Sequence, residues 1–392
     1  MNPPLFLQAS GMINALGQPH QTIWYNLTNG IQTCLSPCDQ LINGRSTWVG
    51  RVQNELPAIP GVFKEYACRN NQLLLAAYQQ IQAEVDEAIV MYGRHRIAVV
   101  AGSSTSGILE GEMALESKEK TGRFPDSFNY CQQEMGTVAE FLARYAGLTG
   151  LAYTISTACS SSARAFIAAR NLIRMDLADA VIVGGVDSLC QLTLNGFSAL
   201  ELISDDFCNP FSKNRKGINI GEGAALFLLT KQKSEIQLLG SGESSDAYHT
   251  SAPHPDGKGA IQAMQQALKS ADLTTVDYVN LHGTGTFQND AMECVAMKDV
   301  FPQGVFCSST KPLTGHLLGA SGATEIGFCW LALSSCNPQN LLPPHVWDSE
   351  SDENLPRLNL VTPLQNAPLR VCMSNSFGFG GNNVSVIIGK AK

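Results

Sequence analysis

Short runs of uninterrupted apolar residues, each closed by glycine and small polar residues, constrain the fold of this 392-residue chain more than any other feature. Ile97-Ala98-Val99-Val100-Ala101 and Ala180-Val181-Ile182-Val183-Gly184-Gly185 have no polar face, the pattern of strands buried on both sides. Leu5–Ala9, Ala224–Thr230, Ile236–Gly240, Tyr278–Leu281, Val305–Ser308, Val371–Asn375 and Val384–Ile388 read as further strands. Between them lie segments of 3.6-residue apolar period: Asn71–Tyr92 as one long helix, then Glu134–Tyr145, Gly259–Ala271, Asp290–Val300 and Gly322–Leu333. The stretch up to about Pro60 reads as loop-rich. This alternation predicts an α/β fold with a mostly parallel sheet. The order of elements repeats on either side of residue 235, which predicts two halves, 1–235 and 236–392, on one plan.

Composition excludes several kinds of function. Charged residues make up 15% of the chain, against roughly 25% in ordinary soluble domains, so a large buried core and an extensive oligomer interface are expected. The net charge of −8, with no run of like charges, argues against a nucleic-acid binder. No apolar stretch reaches the ~18 residues of a membrane span. Met1-Asn2-Pro3-Pro4-Leu5 has neither the positive charge nor the apolar core of a secretory leader. The 12 cysteines follow no regular spacing, and Cys34-x3-Cys38 has no second pair, which predicts reduced thiols and a cytoplasmic location.

Cys159 is the leading chemical candidate. In Thr154-Ile155-Ser156-Thr157-Ala158-Cys159-Ser160-Ser161-Ser162-Ala163 a β-branched run stops and a serine- and alanine-rich helical stretch begins. The thiol is thereby placed beside the first unpaired N–H groups of a helix, whose partial positive charge favours thiolate. His282 ends a strand in Leu281-His282-Gly283-Thr284-Gly285-Thr286, where the glycines admit a bound group and Thr284 and Thr286 offer hydroxyls. The spacing fits neither a dinucleotide loop nor a Walker loop. Lys311 and His316 flank Pro312, and Glu325 lies on the small-residue helix that follows. Taken singly, Lys311 is most simply a solvated surface lysine and each histidine a structural one. Asn375-Ser376-Phe377-Gly378-Phe379-Gly380-Gly381 puts two aromatic rings in a glycine loop between the last strands.

Thr157-Ala158-Cys159-Ser160-Ser161, His282-Gly283-Thr284-Gly285-Thr286, Lys311-x4-His316-x2-Gly319-Ala320 and Asn375–Gly381 together resemble the β-ketoacyl-ACP synthase I/II family, in the family's order and over essentially the whole chain. The resemblance implies a thiolase-like five-layer αβαβα sandwich of two duplicated halves, normally dimeric. It implies decarboxylative Claisen condensation of an acyl group on Cys159 with malonyl-ACP. By the same resemblance the N–H groups of Cys159 and Phe379 form an oxyanion hole. His282 and His316 stabilise the enolate, Lys311 and Glu325 order the site, Phe379 with Phe377 gates it, and Phe197 walls the acyl pocket. No cofactor and no metal is expected; a zinc ion on Cys159, His282 and His316 is chemically possible, but those neighbourhoods do not require one. The implied partners are acyl- and malonyl-loaded acyl carrier protein and either a second copy or a chain-length factor. The alternative is that the chain is itself a non-catalytic chain-length factor, but such partners typically lack the cysteine. Arg215-Lys216-Gly217 in place of Arg-Asp-Gly and the polar Ser160-Ser161-Ser162 depart from the housekeeping pattern and suggest an aryl polyene or other polyketide pathway. The carrier is acidic, so a local basic patch is needed, for which Lys64 and Arg69 are the candidates.

Overall fold

The computed structural model describes residues 3–391; Met1 and Asn2 of the N-terminal segment read above, and Lys392, lie outside the described residues. Eleven strands hydrogen-bond in one run. One half of the run is Ala152–Ile155, Ile97–Gly102, Ala180–Asp187, Gly223–Thr230 and Leu5–Ile13, in that spatial order. The other is Phe306–Ser308, Tyr278–Asn280, Val371–Gly378, Asn382–Lys390 and Ile236–Ser245, with Asn359–Leu360 added at its outer edge. In each half the first three strands are parallel and the last two antiparallel. The halves meet where Leu5–Leu7 pairs with Ile236–Leu238. The sheet is therefore mixed rather than mostly parallel. Val371–Gly378 and Asn382–Lys390 are joined only by Phe379–Gly381, a connection too short for a parallel crossover.

Alternate residues of the strands face opposite ways and define the layers. Ala98, Val100, Val181, Val183 and Phe227 face a cluster shared with Phe166 of the helix Ser161–Arg174 and Phe328 of the helix Ser321–Leu333. Val99, Ala101, Ile182 and Leu226 face the helices Arg69–Tyr78, Gln82–Tyr92 and Thr137–Tyr145. In the other half Val279, Cys307 and Met373 meet Lys258–Ala271 and Phe287–Val300. The order is helix, sheet, helix, sheet, helix, with Ser161–Arg174 and Ser321–Leu333 as the shared middle layer.

Two expectations are corrected. The helix read over Asn71–Tyr92 is broken at Gln79–Ile81, where Gln80 bonds the N–H and C=O of Met12 (3.3 and 2.9 Å) and Ile81 is fully buried. Local periodicity cannot register those contacts with a strand 68 residues away. Within the region read as loops, His20–Thr28 is a helix whose Ile23, Trp24 and Leu27 join the central cluster.

The loops that carry the chemistry leave the carboxyl ends of parallel strands, where ligands collect in α/β sheets. Gly102 lies in the sheet beside Ile155, and Asn280 beside Ser308, so the turns after these strands start at neighbouring points.

Candidate active site

Cys159 stands in the turn between Ala152–Ile155 and Ser161–Arg174. Ala158 has a φ of +51°, a left-handed conformation costly for a residue with a Cβ. Serines hold the turn. Thr157 N–H donates to Ser161 Oγ (2.8 Å), while Ser161 Oγ donates to Ala158 O (2.6 Å) and Ser160 Oγ to Thr157 O (2.8 Å). Ser162 Oγ accepts from the Ala323 N–H (2.8 Å) and so ties the two middle-layer helices together. Gly378 packs against this turn: a Cβ there would stand 2.9 Å from Thr157 O and 3.2 Å from Cys159 N. That closeness lets the Phe379 N–H reach the Cys159 sulfur.

His282 follows the strand Tyr278–Asn280 and is held by its backbone. Glu293, buried on the helix Phe287–Val300, accepts from the N–H groups of His282 (2.8 Å) and Gly283 (2.7 Å). Lys311 Nζ donates to His282 O and pairs with Glu325 Oε1 at 2.5 Å. Lys311 is 1% exposed, so the solvated reading of this lysine is wrong. Ser321 Oγ lies between His316 Nδ1 (3.3 Å) and Glu325 Oε1 (3.1 Å). The rings of His282 and His316 stand edge to face with centroids 5.3 Å apart.

The sulfur of Cys159 and one ring nitrogen from each histidine lie within 4.8 Å of one another. They face a cavity open to solvent whose walls include Phe197, Thr284, Thr286, Phe377 and Phe379. Phe197 and Phe379 touch at 5.4 Å, and the Thr284 and Thr286 hydroxyls are 2.9 Å apart. Every residue singled out for the site thus converges on one cavity or, for Lys311 and Glu325, on the buried layer behind it. Sequence reasoning missed Glu293. Its signal was a charged residue among positions 289, 290, 292, 296 and 297, all of them buried on that helix.

The electrostatics correct one expectation. Burial pushes the Cys159 thiol up to about 11, with the Lys311 charge and the Phe379 N–H pulling the other way. Desolvation therefore outweighs the Lys311 charge and the Phe379 N–H, which favours the thiol over the thiolate. Burial, with help from Lys311, holds His316 well below its ordinary value; His282 is lowered by burial, Lys311 and His316. Both imidazoles are neutral near pH 7. Burial raises the Glu325 carboxyl and the Lys311 charge opposes that rise. Arg69, one of the two docking candidates, is tied to the fully buried Glu222 (2.5 and 2.9 Å), which removes it from the surface patch.

A cysteine on a strained turn and two neutral imidazoles share one cavity in a five-layer sandwich of the thiolase-like kind. Residues 68–235 match the model for the beta-ketoacyl synthase N-terminal domain, and residues 236–345 the model for its C-terminal domain. The chain belongs to the β-ketoacyl synthase family. It is 30% identical over 433 residues to the mitochondrial 3-oxoacyl-(acyl-carrier-protein) synthase of Arabidopsis thaliana, across 96% of this chain and 91% of that one. It is 36% identical over 264 residues to 3-oxoacyl-(acyl-carrier-protein) synthase 2 of Rhizobium meliloti (strain 1021), a match that spans 62% of this chain and 61% of the relative. Among solved structures it is similar to a ketosynthase in complex with its chain length factor from Xenorhabdus doucetiae, with 47% identity and a TM-score of 0.95 over 99% of this chain and 98% of that one. Among the described residues no helix is long and apolar enough to cross a membrane.

Proposed function

We propose that this chain is a β-ketoacyl-ACP synthase that condenses an acyl group held on Cys159 with malonyl-ACP. The observation that carries the reading is the sulfur of Cys159 within 4.8 Å of a ring nitrogen of both His282 and His316. In the first half-reaction the sulfur attacks the thioester carbonyl of an acyl-ACP. Its proton passes to the leaving thiolate by way of a neutral imidazole, and acyl-Cys159 and free carrier remain. The N–H groups of Cys159 and Phe379 are the donors for the oxyanion, one such donor being worth about 3 kcal/mol. In the second half-reaction malonyl-ACP loses CO2 and the electron pair moves onto its thioester oxygen as an enolate. Neutral His282 and His316 donate to that oxygen. The enolate carbon then attacks acyl-Cys159 and expels the cysteine thiolate, which takes a proton from solvent and returns to the resting thiol.

Lys311 and Glu325 act from behind as a fixed charge pair, Phe377 and Phe379 as the gate, Thr284 and Thr286 on the carrier arm, and Phe197 on the acyl chain. The 47% identity to a ketosynthase that works with a chain length factor supports a specialised, aryl polyene type of pathway and a heterodimer. Ala152–Ile155 supports pairing with a second subunit: it is an edge strand, and Leu151 and Tyr153 beside it are exposed.

The test is intact-mass measurement after incubation with a panel of acyl-ACPs, followed by malonyl-ACP. An acyl mass shift on Cys159, unaffected by a chelator and discharged by malonyl-ACP, is expected. A chain that never loads is not a synthase, and loss of loading on chelation would point to a metal centre on the same three side chains.

A further inference from the structure

Asp187 ends the strand Ala180–Asp187 and is fully buried. Its Oδ1 accepts from Ser103 Oγ (2.7 Å), Ser104 N–H (2.8 Å), Thr105 N–H (2.8 Å) and Thr105 Oγ1 (2.8 Å). Its Oδ2 accepts at 3.2 Å from the Ala320 N–H, which also donates to Leu317 O within its own turn at 3.0 Å. The first four donors lie in the loop after Ile97–Gly102, in the half that carries Cys159. The fifth lies four positions beyond His316, in the other half.

Three non-glycine residues with left-handed φ gather around this carboxylate. Ser106 (+46°) donates its N–H to Ser103 Oγ at 3.0 Å. Ala158 (+51°), next to Cys159, accepts on its carbonyl from Ser104 Oγ at 3.1 Å. Leu318 (+50°) is two residues before Ala320. Gly319 between them is close enough that a Cβ would stand 2.8 Å from Asp187 Oδ2. Strained conformations persist only where the surroundings over-determine them. Here one anion is common to all three.

We infer that Asp187 is a positioning residue whose carboxylate holds the Cys159 turn and the His316 turn in register across the two halves of the molecule. Its two oxygens brace different turns. Oδ1, through Ser104, supports the one that aims the sulfur, and Oδ2 supports the one that aims the imidazole. The inference rests on the synthase reading and deepens it.

An amide separates the two ties. In Asp187→Asn the four donors at Oδ1 keep an acceptor, while Ala320 N–H meets an NH2 group, loses its tie to the other half and keeps only Leu317 O of its own turn. Loading of Cys159 from acyl-ACP, read by intact mass, and CO2 release from malonyl-ACP are measured separately on the full chain with whatever subunit co-purifies. The expected result for Asp187→Asn is CO2 release down about tenfold or more with loading kept within about threefold. Loss of both in equal measure, or of neither, overturns the inference. If Asp187→Asn fails to fold, Ser104→Ala decides, because it removes only the bond to Ala158 O. Loading should then slow about threefold to tenfold while CO2 release holds, and equal or absent effects overturn the inference. A wild-type chain that does neither reaction defeats the synthase reading itself, an outcome visible before any variant is made.

Discussion

The turn around Cys159 and the turn around His316 occupy the same slot in the two halves. Each follows the outermost or next-to-outermost parallel strand, Ala152–Ile155 or Phe306–Ser308, and each leads into a middle-layer helix. Each contains one alkyl residue in left-handed conformation, Ala158 at +51° and Leu318 at +50°. What differs is the buried chemistry beneath. Against the Cys159 turn lie hydroxyls, Ser160 to Ser162, while the Lys311, Asp187 and Glu325 charges act on its thiol through space. Beneath His316 lies the Lys311–Glu325 pair, sealed from solvent. One geometry thus holds a neutral thiol in one half and, in the other, an imidazole with a buried ion pair behind it. A duplicated scaffold can divide a reaction by where it buries charge, with its backbone plan unchanged.

The strongest way to break this comparison is at the sulfur. Cys159→Ala should abolish acyl loading and lower condensation by at least about 10³-fold, measured as product per enzyme, while Tm changes little. Retained condensation would mean that the nucleophile lies elsewhere. Next comes the charge pair. Lys311→Met strands the Glu325 carboxylate in the interior, and removing one partner of a buried pair costs about 3–5 kcal/mol in unfolding free energy. The same variant takes away the largest influence lowering the Cys159 thiol, so that thiol should become still harder to ionise. Cys159→Ala should therefore lose activity and keep stability, and Lys311→Met should lose both. If the two variants behave alike, the contrast between the halves is wrong.

The same contrast explains what could be read from residue order. Strand runs with no polar face were legible because burial on both sides leaves no period to misread; Ile97–Gly102 and Ala180–Asp187 are wholly buried. Four short motifs sufficed to mark Cys159, His282 and His316 as one group: Cys159 and His282 follow strand ends, and His316 follows the short helix Lys311–Thr314. The middle of the sheet was misread as parallel, since pairing direction depends on which strands become neighbours and not on their composition. The thiol was misjudged for a related reason. The helix end is a local property visible in sequence, whereas burial of Cys159, which raises the thiol, is a tertiary one. Glu293 and Asp187 went unseen because a carboxylate that binds backbone N–H groups from another segment leaves no spacing of its own.

Smaller effects sharpen the comparison through pH. Ionisation of Cys159 in the folded chain runs through about 11, so the thiolate fraction grows with pH. Alkylation of Cys159 by iodoacetamide should therefore rise about tenfold per pH unit between pH 7 and 9, without a plateau in that range. The histidines move the other way. Both are depressed below the ordinary value, so they stay neutral as pH falls through about 6.5, where an exposed imidazole would be half protonated. Malonyl-ACP decarboxylation should hold its rate from pH 7.5 to about 6. A thiol that alkylates at a constant rate from pH 7 upward, or a decarboxylation that halves near pH 6.5, would contradict the burial on which the contrast depends.

The smallest expected effect lies at the surface, where Lys64 and Arg69 part company. Arg69 reaches inward to Glu222, so its loss should register as lower Tm and not as weaker carrier binding. Lys64 is exposed on Gly61–Tyr66, a segment stitched to 130–133 by Cys131 Sγ donating to Glu65 O (2.9 Å) and Gln132 Nε2 donating to Ala67 O (2.8 Å). Gly107 N–H bonds Gln132 O at 3.0 Å, which joins 130–133 to the start of the helix Ile108–Thr121. On that helix and its exit, exposed Lys118 and Arg123 stand among exposed Glu116 and Glu119, so Lys64 is the cation tested. An acidic carrier docking on such a face gains affinity by long-range attraction, which salt screens. Lys64→Glu should raise KM for acyl-ACP about threefold at low salt, leave kcat alone, and lose its effect near 0.5 M salt. Turnover of a small acyl thioester, which has no carrier to dock, should not change. If Lys64→Glu slows both substrates equally, the residue acts on the fold, and the carrier meets the protein through some other face.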